Sequence, residues 1–507
     1  MNEHSNSLLA VKKIPSSEVI RRSENIHFDN SYARLPSVFY QKLSPTPVKN
    51  PQLLRLNTPL AEELELNAMQ LQSDTGLAML AGNKIPAGSE PLAMAYAGHQ
   101  FGNWVPQLGD GRAVLLGEVM DIRGQRQDIQ LKGAGRTTWS RGGDGRSSIG
   151  PVLREYIVSE AMAALGVPTT RALAAVATGE FVQRETRLPG GILTRIATSH
   201  IRVGTFQYFL ARGDIESVRM LAGHVIDRHY PAARNAERPA LALLDAVVKT
   251  QASLIAHWQS IGFIHGVMNT DNSSIAGITI DYGPCAFMDD YNSAKVFSSI
   301  DHGSRYAFCN QPSIAQWNMS NFAQCMLPLI DDDEQASIHH AQASIDAFPE
   351  LYKEAYTQRM RDKLGLPDNK INDQDLASEL LTLMETAGAD FTLTFRALST
   401  DVATARTYFE NAAGFDEWLS HWQHRLVASN CTIESQQAMM QAANPYLIPR
   451  NHQIEAVIQA AIDDNDFDPF NRMVDVLAAP YIENTAYADL ASPPGADEIV
   501  QQTFCGT

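Results

Sequence analysis

Apolar and polar positions change their spacing several times along this chain. Residues 113–120 (AVLLGEVM) and 126–132 (RQDIQLK) are short strand-like runs joined by a turn containing D-I-R-G, and they predict a hairpin. A helix is predicted from about Pro151 to Leu165. Val152, Leu153, Tyr156, Ile157, Ala161 and Leu165 form its apolar stripe, Pro151 suits a first helical position, and Gly166 and Pro168 stop it. Between hairpin and helix lies KGAGRTTWSRGGDGRSSIG, six glycines among nineteen residues, which excludes a helix or a packed strand. Residues 240–258 carry a second helical stripe through Leu244, Val247, Val248, Leu254, Ile255 and Trp258. After a polar loop comes an apolar run, Ile275 to Ile280, and beyond residue 330 the pattern is mostly helical.

The first 25 residues read as a polar leader. From Phe28 to Leu66, five prolines (Pro36, Pro45, Pro47, Pro51, Pro59) forbid long regular elements. That segment is expected to wrap over a surface rather than build a core. Strands before a single helix, then a long helical half, predict an α+β enzyme with a small mixed lobe and a large, mainly helical lobe. The expected divisions are 1–85 (leader and wrapping segment), 86–210 (small lobe) and 211–507 (helical lobe).

Composition narrows the function. The 507 residues carry a formal net charge of −17, with ordinary hydrophobic (44%) and charged (19%) fractions. Bulk nucleic-acid or anionic-membrane binding needs a basic face that such a chain lacks, whereas a small nucleotide needs only a local basic pocket. Cys285, Cys309, Cys325, Cys431 and Cys505 show neither zinc spacing nor a disulfide framework. The first thirty residues lack the apolar region of a signal peptide, Glu3, Glu18 and Glu24 oppose a transit-peptide reading, and no run reaches eighteen apolar residues. The expected compartment is the cytoplasm.

The candidate chemistry follows in chain order. Gly109-Asp110-Gly111-Arg112 opens the first strand; such a turn can lay backbone N–H groups against phosphates, and it also suits a plain hairpin. Lys132 ends the second strand. It is either a solvated lysine or, as in kinase-fold enzymes, a phosphate ligand oriented by a glutamate on the next helix, where Glu155 stands; the bland partner of Glu155 is Arg154. The most specific signal is His265-Gly266-Val267-Met268-Asn269-Thr270-Asp271-Asn272, followed by Asp281-Tyr282-Gly283. Kinase catalytic loops read H-R-D-x-x-x-x-N, then D-F-G, with the Asn and the second Asp holding metal ions. His265, Asn272 and Asp281 keep that order, but Val267 replaces the aspartate that serves as base. Asp271 is the nearest carboxylate able to substitute. Arg136, Arg141 and Arg146 around Asp144-Gly145, with Arg195 and Arg202 within the strand-like run GGILTRIATSHIRVG, concentrate positive charge in an otherwise acidic chain and suit phosphate.

On these residues, and on FDNSYARLP, LSPTPVKNP, YAGHQFGNWVPQLGDGRA, NQPSIAQWN, PRNHQIEAVIQAA and the terminal FCGT, the chain closely resembles the selenoprotein O (YdiU-type) protein adenylyltransferases over nearly its whole length. The resemblance implies a protein-kinase-like fold that binds ATP flipped, with the α-phosphate facing the acceptor. It also implies AMP transfer to Ser, Thr or Tyr hydroxyls of proteins, including itself, with release of pyrophosphate. By the same resemblance Gly109, Gly111, Arg112, Lys132, Asp144, Gly145, Arg195, Arg202 and Asp281 contact the nucleotide. Asn272 and Asp281 bind Mg2+ or Mn2+, Asp271 is the proton acceptor, and Glu155 pairs with Lys132. Some relatives couple a C-terminal cysteine to one after the D-Y-G motif; here that stretch offers serines, with Cys309 further along, which leaves Cys505 without its expected partner. Rival readings are UMP transfer from UTP, a true kinase, and an ATP-binding pseudokinase scaffold, which Val267 favours and Lys132, Asn272 and Asp281 oppose.

Overall fold

The computed structural model describes residues 26–504 apart from 371, 411 and 430, so the leader and Cys505 lie outside the described residues. Its strands are β1 (Tyr40–Lys42), β2 (Gln52–Leu56), β3 (Leu92–Met94), β4 (Gly98–Gln100), β5 (Asn103–Val105), β6 (Ala113–Met120), β7 (Arg126–Lys132), β8 (Ser147–Ser148), β9 (Arg171–Gln183), β10 (Arg187–Ala197), β11 (Phe263–Ile264) and β12 (Ala286–Phe287). Eight of them form one antiparallel sheet in the order β1-β3-β6-β7-β10-β9-β2, with β8 paired to β10. β4 and β5 form a separate hairpin, and β11 pairs with β12. Helices dominate after residue 200, from Val203–Leu210 onward, giving a mixed α+β fold.

The predicted hairpin matches β6 and β7 residue for residue. Its turn is held by Asp121, whose Oδ1 accepts from the backbone N–H of Arg123 (2.9 Å) and Gln125 (2.8 Å). The two faces of the sheet follow the strand period of two. Val114, Leu116, Ile129, Leu131, Ile192 and Ile196 point into one core with Leu60, Leu64, Leu71 and Leu80. Leu115 and Leu193 point the other way, into the core shared with the helix Ile149–Ala164. That helix begins two residues earlier than its proline signals, with Ser148 in the extended N-cap position, and packs on β9, β10 and the helices Asn451–Asp463 and Asp468–Leu477.

One expectation is corrected. The Pro-rich segment does not merely cover a surface: it supplies β1 and β2, and buries Tyr32, Phe39, Val48, Leu60 and Leu64 in the cores. Its prolines fall between the elements or, as Pro59, in the first turn of the helix Thr58–Glu63. The apolar run Ile275–Ile280 is largely buried but forms no ladder: the single bridge Thr279–Thr169 and separate hydrogen bonds, such as the Ile275 N–H to the Ile201 carbonyl (3.0 Å), tie it to neighbouring chain. The second helix extends over Pro239–Ser260. It has the length and apolar character of a membrane crossing, yet 56% of the window that qualifies is buried inside the fold, against the helices Gln311–Ile330 and Phe348–Lys363.

Lys363, at the end of the Phe348–Lys363 helix, is buried with its ammonium 4.2 Å from the ring centre of Phe395. Burial pushes its pKa down from 10.5 to about 7. Above about pH 7 the unfolded chain therefore holds a proton that the folded one has released, so this group's penalty is complete below pH 7 and fades as pH climbs towards 10.5. Lys363→Met is expected to stabilise the protein at pH 7 by about 1–3 kcal/mol, the range for replacing buried charge with apolar volume. Thermal melts at pH 7 and pH 10 check this: the gain should shrink at the higher pH, and an undiminished gain would contradict it.

Candidate active site

The alternation that buries Ile129 and Leu131 on one face turns Gln130 and Lys132 to the other, and the register places Arg195 of β10 opposite Gln130 and Leu193 opposite Lys132. Glu155 faces them from the Ile149–Ala164 helix. Lys132 Nζ donates to Glu155 Oε2 and to Asp281 Oδ1, both at 2.6 Å. Arg195 donates Nη1 to Asp281 Oδ1 (2.6 Å) and Glu155 Oε1 (3.2 Å), and fixes its remaining donors on Gln130 Oε1. Arg202, at the start of the Val203–Leu210 helix, reaches Asp281 Oδ2 (3.1 Å) and the backbone carbonyl of Asp271 (2.8 Å), lying over the Tyr96 ring. Arg154 does not partner Glu155; it pairs with Glu455.

Asp281 is therefore bound by three cations. Burial alone would raise its pKa, but Lys132, Arg195 and Arg202 hold it well below the usual carboxylate range. Its backbone is in the left-handed region (φ 65°), a strained state held in place by these contacts. Nearby, burial pushes Asp271 up to about 6, against the opposing charge of Arg202. Asp271 Oδ2 accepts from Gln100 Nε2 (3.2 Å), while its Oδ1 is buried without a partner. His265 plays a supporting part: its Nε2 meets the carbonyl of Ile280 at 2.9 Å, and its ring stacks on Trp258.

Lys132, Arg195, Arg202, Gln100, Asp271 and Asp281 line a cavity of about 750 Å³, together with Gly109, Gly111, Arg112, Asp144, Gly145, Val267 and Asn272. The volume suits a nucleotide-sized ligand. All the residues expected to hold nucleotide or metal are brought together there, with Glu155 standing behind Lys132. Seven Lys or Arg and four Asp side chains line it, reversing the sign of the whole chain (−17). Gly109 has a further reason to be glycine: a Cβ there would lie 2.2 Å from the Trp139 ring, so the turn can pack beneath the glycine-rich loop only without a side chain. Arg136 does not line the cavity; it donates to the carbonyls of Gly142 and Gly143 and shapes that loop. Asp144 is bound by Arg184, at 2.9 and 3.2 Å.

Sequence reasoning missed Tyr96, Gln100, Asp110, Gln130, Trp139 and Arg184. The polar Gln130 inside an alternating strand was a signal, and so was the carboxylate between Gly109 and Gly111. Asp110 is buried, accepts from the backbone N–H of Met94 (3.0 Å), and has its pKa raised by burial with Arg202 opposing. The serines after the D-Y-G motif do meet the chain terminus: Thr503 bridges to Ser298, and its hydroxyl donates to the Pro284 carbonyl at 2.5 Å. The Cys505 expectation itself falls outside the described residues.

Among the described residues no group of three or more His, Cys, Asp or Glu side chains could hold a metal by itself. The donors present still suit a hard cation shared with phosphate oxygens: Asp281 is a carboxylate, and Asn272 donates its amide N–H to the Val267 carbonyl (2.9 Å), which leaves its amide oxygen for a cation.

A family model described as Protein adenylyltransferase SelO matches residues 22–478. Among curated proteins, the protein nucleotidyltransferase YdiU of Bradyrhizobium sp. (strain ORS 278) is 58% identical over 485 residues, covering 95% of this chain and 99% of its own. The protein of the same name from Nitrobacter hamburgensis is 55% identical over 504 residues, covering 97% of this chain and 100% of its own.

Asp281 neutralises three cations of the kind that phosphate oxygens pair with. Asp281→Asn is expected to abolish turnover with divalent metal while binding ATP in EDTA at least as tightly as the parent, because Lys132, Arg195 and Arg202 are then free. Equilibrium titration in EDTA decides it; clearly weaker binding by the variant would contradict the cluster's role.

Proposed function

We propose, from the premise that this chain belongs to the protein adenylyltransferase SelO family and is a nucleotidyltransferase, that it transfers AMP from ATP to Ser, Thr or Tyr hydroxyls of proteins, its own included, with release of pyrophosphate. The observation that carries the reading is the pairing, in one cavity, of a three-cation cluster on Asp281 with a buried carboxylate, Asp271, that keeps one oxygen unpartnered. In the kinase-like arrangement we propose, residues 86–210 and 211–507 are the two lobes, and β1 and β2 from the preceding segment 1–85 complete the sheet.

Asp271 Oδ1 takes the proton from the acceptor hydroxyl as its oxygen bonds to the α-phosphorus. The bond from that phosphorus to the α–β bridging oxygen breaks, and pyrophosphate leaves with the electron pair. A base with a pKa of about 6 is largely ionised at neutral pH yet retains affinity for a proton, which suits this step. Val267 has no lone pair, so the ordinary kinase position contributes no base. Lys132, Arg195, Arg202 and Arg112 hold the phosphates and stabilise charge gathering on the leaving group. Asn272 and Asp281 are the residues that would hold a divalent cation, which when bound neutralises phosphate charge. The flipped nucleotide, α-phosphate towards Asp271, rests on the family resemblance.

Incubation with Mg2+ and ATP labelled at the α-position is expected to label this protein and added acceptor proteins, while γ-label gives none. Asp271→Asn should lose about 10²–10⁴ of the rate, the usual contribution of a positioned base. Label from γ alone would establish a kinase, label from neither a scaffold, and preferential competition by UTP a uridylyl transfer.

A further inference from the structure

We propose that Gln100 is a positioning residue for the proton acceptor: it holds one oxygen of Asp271 so that the other stays directed at the acceptor hydroxyl. The inference rests on the reading of Asp271 given above.

Gln100 is the last residue of β4, and its Nε2 donates to Asp271 Oδ2 at 3.2 Å. The other oxygen, Oδ1, is buried and has no hydrogen-bond partner. A buried acceptor left unsatisfied costs about 1–3 kcal/mol unless a ligand completes it. The asymmetry is therefore what a base waiting for an O–H donor requires, and Gln100 is what creates it.

The hairpin that carries Gln100 is fastened to the loop that carries Asp271. The backbone N–H of His99 donates to Thr270 Oγ1 (2.7 Å), and that of Phe101 to Asn269 Oδ1 (2.9 Å). Asn269 Oδ1 also accepts from the Tyr306 hydroxyl (2.6 Å), so the anchor is itself fixed. A Cβ on Gly98 would lie 2.9 Å from Thr270 Oγ1 and 3.2 Å from the Asp271 nitrogen, so only glycine lets β4 approach this closely.

The chemistry of the amide matters as much as its place. Arg202 already donates to the Asp271 backbone carbonyl, and its guanidinium is the positive charge that acts most strongly on the carboxylate. A base paired with that cation loses proton affinity and direction. Gln100 orients the carboxylate with a neutral donor, adding no charge that would quench it.

The test uses the full chain and α-labelled ATP, with Gln100→Met and Gln100→Leu in the parent and in Asp271→Asn. The hydrogen bond to a charged group sets the expected loss, an about ten- to hundredfold fall in kcat with the KM for ATP changed less than about twofold. In the Asp271→Asn background the same substitutions should change nothing further, because Gln100 acts only through that carboxylate. Thermal melts show whether each variant is folded, and Gln100→Met, closest in shape, decides if the leucine variant is not. Parent-like kcat in Gln100→Met, or a full further loss in the Asp271→Asn background, overturns the assignment. Parent-like activity in Asp271→Asn itself overturns the base reading beneath it, and an absence of α-label transfer by the parent overturns the proposed function; the three failures are distinguishable.

Discussion

The carboxylate of Asp281 is gripped by Lys132, Arg195 and Arg202 together, and the rest of the site is arranged around that grip. Three cations so close repel one another unless an anion sits among them. Glu155 supplies a second anion to Lys132 and Arg195 from the opposite side. Partners this deeply buried have lost most of their hydration, so removing one charge leaves the others uncompensated, at about 3–5 kcal/mol. In the proposed function a triphosphate would bring its own anions to the same cations and take over part of what Asp281 and Glu155 do for them.

The fold delivers these groups from distant stretches of chain by ordinary means. Strand alternation sends Lys132 and Arg195 to one face while Ile129 and Ile196 fill the core behind them. A buried helix brings Glu155 beneath that face, and the extended residue before the Val203–Leu210 helix carries Arg202. The β4–β5 hairpin reaches across to the loop holding Asp271, so the buried carboxylate and the cation cluster sit in one cavity while resting on separate backbone supports.

Much of this was legible because it is local. β6 and β7 declared themselves by alternation, the first helix by its stripe, and Lys132, Glu155, Asn272 and Asp281 by their order along the chain. The Pro-rich segment was misjudged because proline reports where an element must break, not whether the short pieces between breaks join a sheet. Gln100 was illegible as a site residue since its partner lies far away in sequence: 171 positions separate it from Asp271. Arg136 and Arg195 look alike in sequence as arginines near glycines. Only the fold shows that one shapes a loop and the other binds the central carboxylate.

In the proposed reaction the α-phosphate, and not the γ-phosphate, meets the Asp271 carboxylate. A crystal structure of the protein with Mg2+ and a non-hydrolysable ATP analogue tests it directly. The α-phosphorus is expected to be the phosphorus nearest Asp271 Oδ1, with the terminal phosphates turned towards Lys132, Arg195 and Arg202. A γ-phosphorus beside Asp271, with the α-phosphate further away, would contradict it.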